Sequence, residues 1–239
     1  MVVSAIAALI GIASCDSSNH DLSRAQAAAA TRAGTTDAAS VLGTSWEPVG
    51  SLPGADALIA DHCGDLRPGL GLPSTGLVGN ATSPVLFRDQ NTGGGPTEHT
   101  DVRTAVVAYK GSASATAAFG KVGVAAFERC LIAAVSTYLD GDHPDSEPVP
   151  DPTGRSFTVT SPSDSAGDEA AMYVGTFDED ILGGSDNTHV VALFVARSDS
   201  LIVTAIAAAN SQTETPAAAT SWARRLGVSA LARATAARN

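Results

Sequence analysis

The sequence predicts an α+β domain, a twisted antiparallel β-sheet with helices packed on one face and one disulfide. Three observations carry that prediction. Asp101 to Lys110 (DVRTAVVAYK) is β-rich and nearly alternating, and at Gly111 it passes into a helical pattern. His189 to Arg197 and Leu201 to Ala208 are apolar runs separated only by Ser198-Asp199-Ser200, the pattern of a hairpin between central strands. A last helical stretch opens at Pro216, a residue suited to the first helical turn. The order of strand, long helix, three or four antiparallel strands and helix describes one two-layer domain.

Met1 to Ser14 (MVVSAIAALIGIAS) carries no charge and is too short to span a bilayer, which takes about 20 apolar residues. It has the character of the apolar part of a secretory signal. Ile12-Ala13-Ser14 then leads into Cys15, the arrangement of a bacterial lipobox, in which small residues fit the signal peptidase and the thiol accepts diacylglycerol. No Lys or Arg precedes the apolar run, so a basic segment upstream of Met1 is expected. Residues 1–14 are thus expected to be a signal peptide and Cys15 a lipid anchor on the outer face of the cell membrane, made stable by two acyl chains. Asp16 to Ser40 contains Leu22 as its one large apolar residue and is expected to be a flexible Ala/Ser/Thr tether, with a marginal helix near Arg24 to Ala33. Residues 15–40 are then anchor and tether, and 41–239 a single globular domain.

Val41 to Leu72 is broken by Pro48, Pro53, Pro68 and six glycines into short pieces around Trp46 and Ala55 to His62. Gly76 to Pro96 is loop-rich, with a strand at Val85 to Arg88. After the strand at Asp101 to Lys110, Ser112 to Thr137 has apolar positions Ala115, Phe119, Val122, Ala126, Cys130 and Ala133 at steps of three and four, which predicts a helix of six or seven turns. Further strands are expected at Arg155 to Ser161 and Asp168 to Thr176. In an oxidising compartment, with Cys15 used for lipid, Cys63 and Cys130 form an even pair and are expected to be bridged. On a chain-entropy account such a bridge stabilises by up to about 4 kcal/mol.

The 239 residues hold 14 basic and 25 acidic side chains, a net charge of −11, and 44 alanines against 5% aromatics. A core of Val, Leu, Ile and Ala follows. Without clustered Lys and Arg there is no electrostatic footprint for nucleic acid, and three cysteines with five scattered histidines leave no zinc-site spacing. Asp140 to Asp186 holds twelve Asp or Glu against Arg155 alone, so this one stretch carries a charge equal to that of the whole chain.

Catalytic signatures fail one by one. Gly43-Thr44-Ser45-Trp46-Glu47 and Gly183-Gly184-Ser185-Asp186-Asn187 both lack the final glycine of a nucleophile elbow. Gly69-Leu70-Gly71 has no third glycine and meets Pro73, and Gly120-Lys121 lies within the predicted helix with no Ser or Thr after it. Asp140 to Glu147 departs from a calcium loop, with Pro144 at the fifth position and Asp145 where the turn glycine belongs, and reads as a solvated loop. Asn80-Ala81-Thr82 matches a glycosylation sequon to which no weight attaches in a bacterial lipoprotein. His62 and His189 read as structural. Arg103 and Tyr109 point to one side of their strand, either lining a cleft or packing on a neighbour. The expectation is a protein that is not an enzyme, with no metal and no cofactor.

The lipobox, the Ala/Ser/Thr segment, the strand VRTAVVAYKGSASATAAF, the helix ending Phe127-Glu128-Arg129-Cys130 and the late strands HVVALFVARSDSLIVTAIA together resemble actinobacterial sensor-domain lipoproteins, which are similar to the extracellular domain of PknH-type Ser/Thr kinases. Tyr109, Ala115, Phe119 and Cys130 sit where that pattern places them. The resemblance spans about Val41 to Arg238 and implies a sheet-and-helix fold with a cleft for a small ligand and no catalysis. The kinase members carry two disulfides where this chain has one pair available.

The first functional expectation is therefore a lipid-anchored envelope protein with a non-catalytic binding or sensor domain for a small molecule, lipid or glycan fragment. An alternative is a module that docks a basic envelope protein through the acidic stretch 140–186. A third is an enzyme of unrecognised type, which requires a cleft holding paired titratable groups with shifted pKa values.

Overall fold

A computed structural model describes residues 21–36, 38–49, 75–90, 98–122, 157–160, 167–179, 187–210 and 214–239. Among them are eight strands, β1 (Glu47–Val49), β2 (Leu77–Thr82), β3 (Val85–Gln90), β4 (Glu98–Tyr109), β5 (Phe157–Thr160), β6 (Glu169–Glu179), β7 (Asn187–Ser198) and β8 (Leu201–Asn210). Four helices accompany them, α1 (Arg24–Thr35), α2 (Ala38–Leu42), α3 (Ser112–Phe119) and α4 (Pro216–Arg238). The sheet runs β1-β3-β4-β8-β7-β6-β5, antiparallel at every pairing, with β2 on β4 beside β3. β2 and β3 lie end to end along one edge of β4, pairing its second and first halves respectively.

The hairpin predicted across Ser198-Asp199-Ser200 is present. β7 and β8 stay in register from Ser198 opposite Leu201 to His189 opposite Asn210, and Asp199 takes a positive φ of 52° at the turn. Asp is one of the few side chains that tolerates that conformation. The strands expected near 101–110, 155–161, 168–176 and 85–88 are β4, β5, β6 and β3.

Alternation sorts the central strands onto two faces. Val102, Val106 and Ala108 of β4, Val190, Ala192, Phe194 and Ala196 of β7, and Leu201, Val203, Ala205 and Ala207 of β8 pack with α1, α2 and α4. Val107 and Tyr109, Val191, Leu193 and Val195, and Ile202, Ile206 and Ala208 point the other way, packing with Ala115 and Ala118 of α3. The expectation of helices on one face is therefore corrected, since α3 covers part of the second. Every one of these positions is buried, so β4, β7 and β8 are central strands covered on both sides.

Two further expectations are corrected. The helix from Ser112 to Thr137 is not continuous. It ends at Phe119, and Lys121 and Val122 donate to the carbonyls of Ala118 and Phe119 three residues back, at 3.1 and 2.9 Å. Gly120, with Gly123 close behind, supplies the poor helix propensity that permits the break. The second concerns residues 15–40. The folded body includes the chain from Asp21, well before Val41, because Leu22 N–H donates to Lys110 O at 2.8 Å and α1 packs against α4, β2 and β4.

α1 is ordered by packing that depends on small side chains. Ser23 caps it in a reciprocal box with Gln26, each backbone N–H donating to the other's side chain at 3.2 Å. Ala27 and Ala30 are fully buried, and a Cβ on Gly34 would stand 2.6 Å from Val106 Cγ2. On α4, a Cβ on Gly227 would run into the ring of Phe194. Glycine at these two positions lets α1 and α4 lie directly on the sheet. Arg233 of α4 then donates to Ala33 O and Gly34 O, both at 3.2 Å, and Arg225 to Val41 O at 2.6 Å. The arginines of α4, which has no acid of its own, serve the orphan carbonyls of its antiparallel neighbours.

Candidate functional site

The antiparallel arrangement gives the body two poles. At one lie the ends of β4, β6, β7 and β8 nearest Tyr109, Glu169, Ser198 and Leu201, together with the start of α1 and the end of α4. At the other lies the start of α4, with β1 and β3 beside it. α4 has 23 residues, which places its ends about 34 Å apart.

The pole at the start of α4 gathers a compact aromatic and charged cluster. Trp46, just before β1, is buried and meets the half-buried Trp222 of α4 edge to face, with ring centroids 5.3 Å apart at 74°. Arg88 of β3 places its guanidinium carbon 5.5 Å from the Trp46 centroid and 5.0 Å from that of Trp222. An arginine over two indole faces is held by the ring quadrupoles, an attraction of roughly 0.5–2 kcal/mol for each. The same guanidinium pairs with Glu214, just ahead of the Thr215 cap of α4. The side chains of Arg88 and Glu214 are 27% and 11% exposed, so the pair sits at the boundary between interior and solvent. Thr215 accepts from Ala218 N–H at 3.2 Å with Pro216 at the first helical position, which fixes where Glu214 enters.

Opposite Arg88 in register is Thr100 of β4, fully buried, whose hydroxyl has no hydrogen-bond partner among the described residues. Thr104, beyond Val102 on the same face, also has no hydroxyl partner among the described residues. A buried hydroxyl left unmatched costs roughly 1–3 kcal/mol, so a polar group supplied there is favoured. The accessible part of the cluster combines the half-buried Trp222 ring with a cation and its counter-ion. That combination is suited to a ligand presenting both C–H faces and hydroxyl or carboxylate groups.

The residues singled out by sequence fall elsewhere. Cys15, Cys63 and Cys130 lie outside the described residues, as do His62 and the loop 140–147. Arg103 and Tyr109 share the second face as expected, but they do not line one opening. Tyr109 is fully buried, and burial pushes its phenol up from 10.0 to about 12. Arg103 Nε donates to Ser83 O and its NH2 to Thr82 Oγ1, both at 3.1 Å, fastening the junction of β2 and β3. Asn80 stands exposed on β2, and His189 falls in β7. Of the acidic stretch, Asp168 and Glu169 both pair with Arg197, at 3.2 and 2.6 Å.

No family model, curated protein or solved structure matches this chain. The resemblance to sensor-domain lipoproteins rests on the sequence pattern. Among the described residues no group of three or more His, Cys, Asp and Glu is placed to hold a metal ion, and no helix is long and apolar enough to cross a membrane.

In the sequence, Trp46 stands out only as a member of its segment, and Trp222, Arg88 and Glu214 carry no local signal of their meeting. The signal present is that the chain contains just two tryptophans.

Proposed function

We propose that the chain is a lipid-anchored cell-envelope protein whose extracytoplasmic domain binds a glycan fragment without catalysis, at the pole formed by Trp46, Arg88, Trp222 and Glu214. The observation that carries the reading is the joint placement of two indoles, a guanidinium and a carboxylate at the boundary between interior and solvent. The half-buried Trp222 ring offers its exposed part to the C–H face of a sugar. Arg88 and Glu214 offer a donor set and an acceptor set for its hydroxyl or carboxylate groups. The signal-like run ending at Cys15 supports export and anchoring, and the resemblance to sensor-domain lipoproteins supports a sensing role.

Both tryptophans of the chain belong to this cluster, so indole emission reports on it alone. Titrating the full chain in detergent with soluble cell-wall saccharides should give a saturable shift in emission that Trp222→Ala abolishes. A flat titration across neutral and acidic saccharides would remove the reading, and a response to wall lipids in their place would redirect it. The anchor is tested separately. Wild-type chain should partition with membranes and carry diacylglycerol on Cys15 by mass, and Cys15→Ser should release it.

A further inference from the structure

We infer that the pole formed by Asp21, Lys110, Asp199 and Arg238 is a membrane-docking surface that lies against phospholipid headgroups while the tryptophan pole points away. The inference rests on the lipid-anchor reading of Cys15 and adds an orientation to it. Asp21 and Leu22 are fastened to this pole, Leu22 N–H donating to Lys110 O at 2.8 Å and the Asp21 carboxylate lying 3.1 Å from Lys110 Nζ. Only five residues, Asp16 to His20, separate Cys15 from Asp21. Fully extended, that link spans about 20 Å, and as a coil about 13 Å. Trp222, sixteen residues before Arg238 on α4, is about 24 Å further up the body. The link is therefore shorter than the domain is tall, and the fastened pole is the part of the body it holds nearest the bilayer.

The chemistry of this pole suits the contact. Each described acid here faces a cation, Asp21 with Lys110, Asp168 and Glu169 with Arg197, and Asp199 with Arg238. These four acids and three cations leave a net charge of −1 among the named groups, so this pole meets phosphate groups with far less repulsion than the chain's overall charge of −11 would bring. Lys110 and Asp21 are 63% and 58% exposed, and so open a pair contributes roughly 0–1 kcal/mol. The Lys110 ammonium is free to exchange Asp21 for a lipid phosphate, whose effective concentration at the end of a short link is in the millimolar range.

Lys110 and Lys121 are the only lysines in the chain, which makes the test direct. Full lipidated protein is reconstituted into vesicles of phosphatidylethanolamine and phosphatidylglycerol and treated with a short amine-to-amine crosslinker. Peptide mapping should find the phosphatidylethanolamine adduct on Lys110. In parallel, energy transfer from the two tryptophans to dansyl-labelled headgroups should be weak. Inserting a long Gly/Ser segment between His20 and Asp21, which leaves the fold untouched, should lower the adduct several-fold. Protein that floats with the vesicles yet shows no Lys110 adduct, or strong tryptophan transfer, overturns the orientation and leaves the anchor standing. Protein that neither carries lipid nor floats overturns the anchor, and the orientation with it.

Discussion

The two faces of the central sheet are both buried but are sealed by different means. On the helix side, α1 and α4 approach through Ala27, Ala30, Gly34, Ala223, Gly227, Ala230 and Ala234, side chains that let helix backbone rest on strand side chains. On the second side, Leu193, Ile202, Ile206, Tyr109 and Tyr173 fill the space with bulk. The difference teaches that burial here is achieved once by proximity and once by volume. A substitution that adds atoms should therefore injure the first face, and one that removes atoms the second.

The largest expected effect is Gly227→Leu. The Cβ alone collides with the Phe194 ring, so α4 must lift from the sheet, and a loss of about 4 kcal/mol or failure to fold is expected. Urea unfolding checks it, and a near-native midpoint would break the distinction between the faces. Leu193→Ala, on the other face, opens a cavity and should cost about 3 kcal/mol; if it is tolerated, the second face is not packed by volume.

Alkaline pH tests the second face without mutation. The Tyr109 phenol is neutral while protonated, and burial favours that form, raising its pKa from 10.0 to about 12. Below pH 10 folded and unfolded chains both keep the proton and the contribution is complete. Between pH 10 and 12 the unfolded chain ionises first, so about 2–3 kcal/mol should be lost over that window. Unfolding midpoints measured across it should fall in the wild type and fall less in Tyr109→Phe. Arg88→Ala has the smallest expected effect, about 1–2 kcal/mol, because it removes the ring contacts and the Glu214 pair at a partly exposed site. Its tryptophan emission should shift, and an unchanged spectrum would mean that the guanidinium does not sit on the rings in solution.

What could be read in advance follows the same division. β4, β7 and β8 were legible because Val, Ile and Leu alternate or run together in them, β6 through its Met172-Tyr173-Val174 run, and α4 because Pro216 marks its start. α1 was expected only as a marginal helix of the tether, and its packing was not legible, because alanine contributes little to a hydropathy pattern even when it is fully buried. A signal was nevertheless present, since Ser23-Arg24-Ala25-Gln26 is the sequence of a capping box. β2, LVGNAT, carries Gly79 and Asn80, both poor strand formers, and is a strand through its pairing with β4. The break after Phe119 was misread because apolar spacing continues through Val122 while Gly120 interrupts the backbone pattern. The Trp46, Arg88, Glu214 and Trp222 cluster joins residues up to 176 positions apart, and no local pattern reveals such a meeting.

The pairing of α1 with α4 also dictates an order of events as the chain is made. Synthesis from the N-terminus delivers α1 well before the helix it packs on, and β4 before its partner β8. Neither can complete its contacts until nearly the whole chain has emerged. Such long-range pairing folds slowly, so α1 spends the interval as an exposed segment, the stage at which a protease or chaperone would meet it.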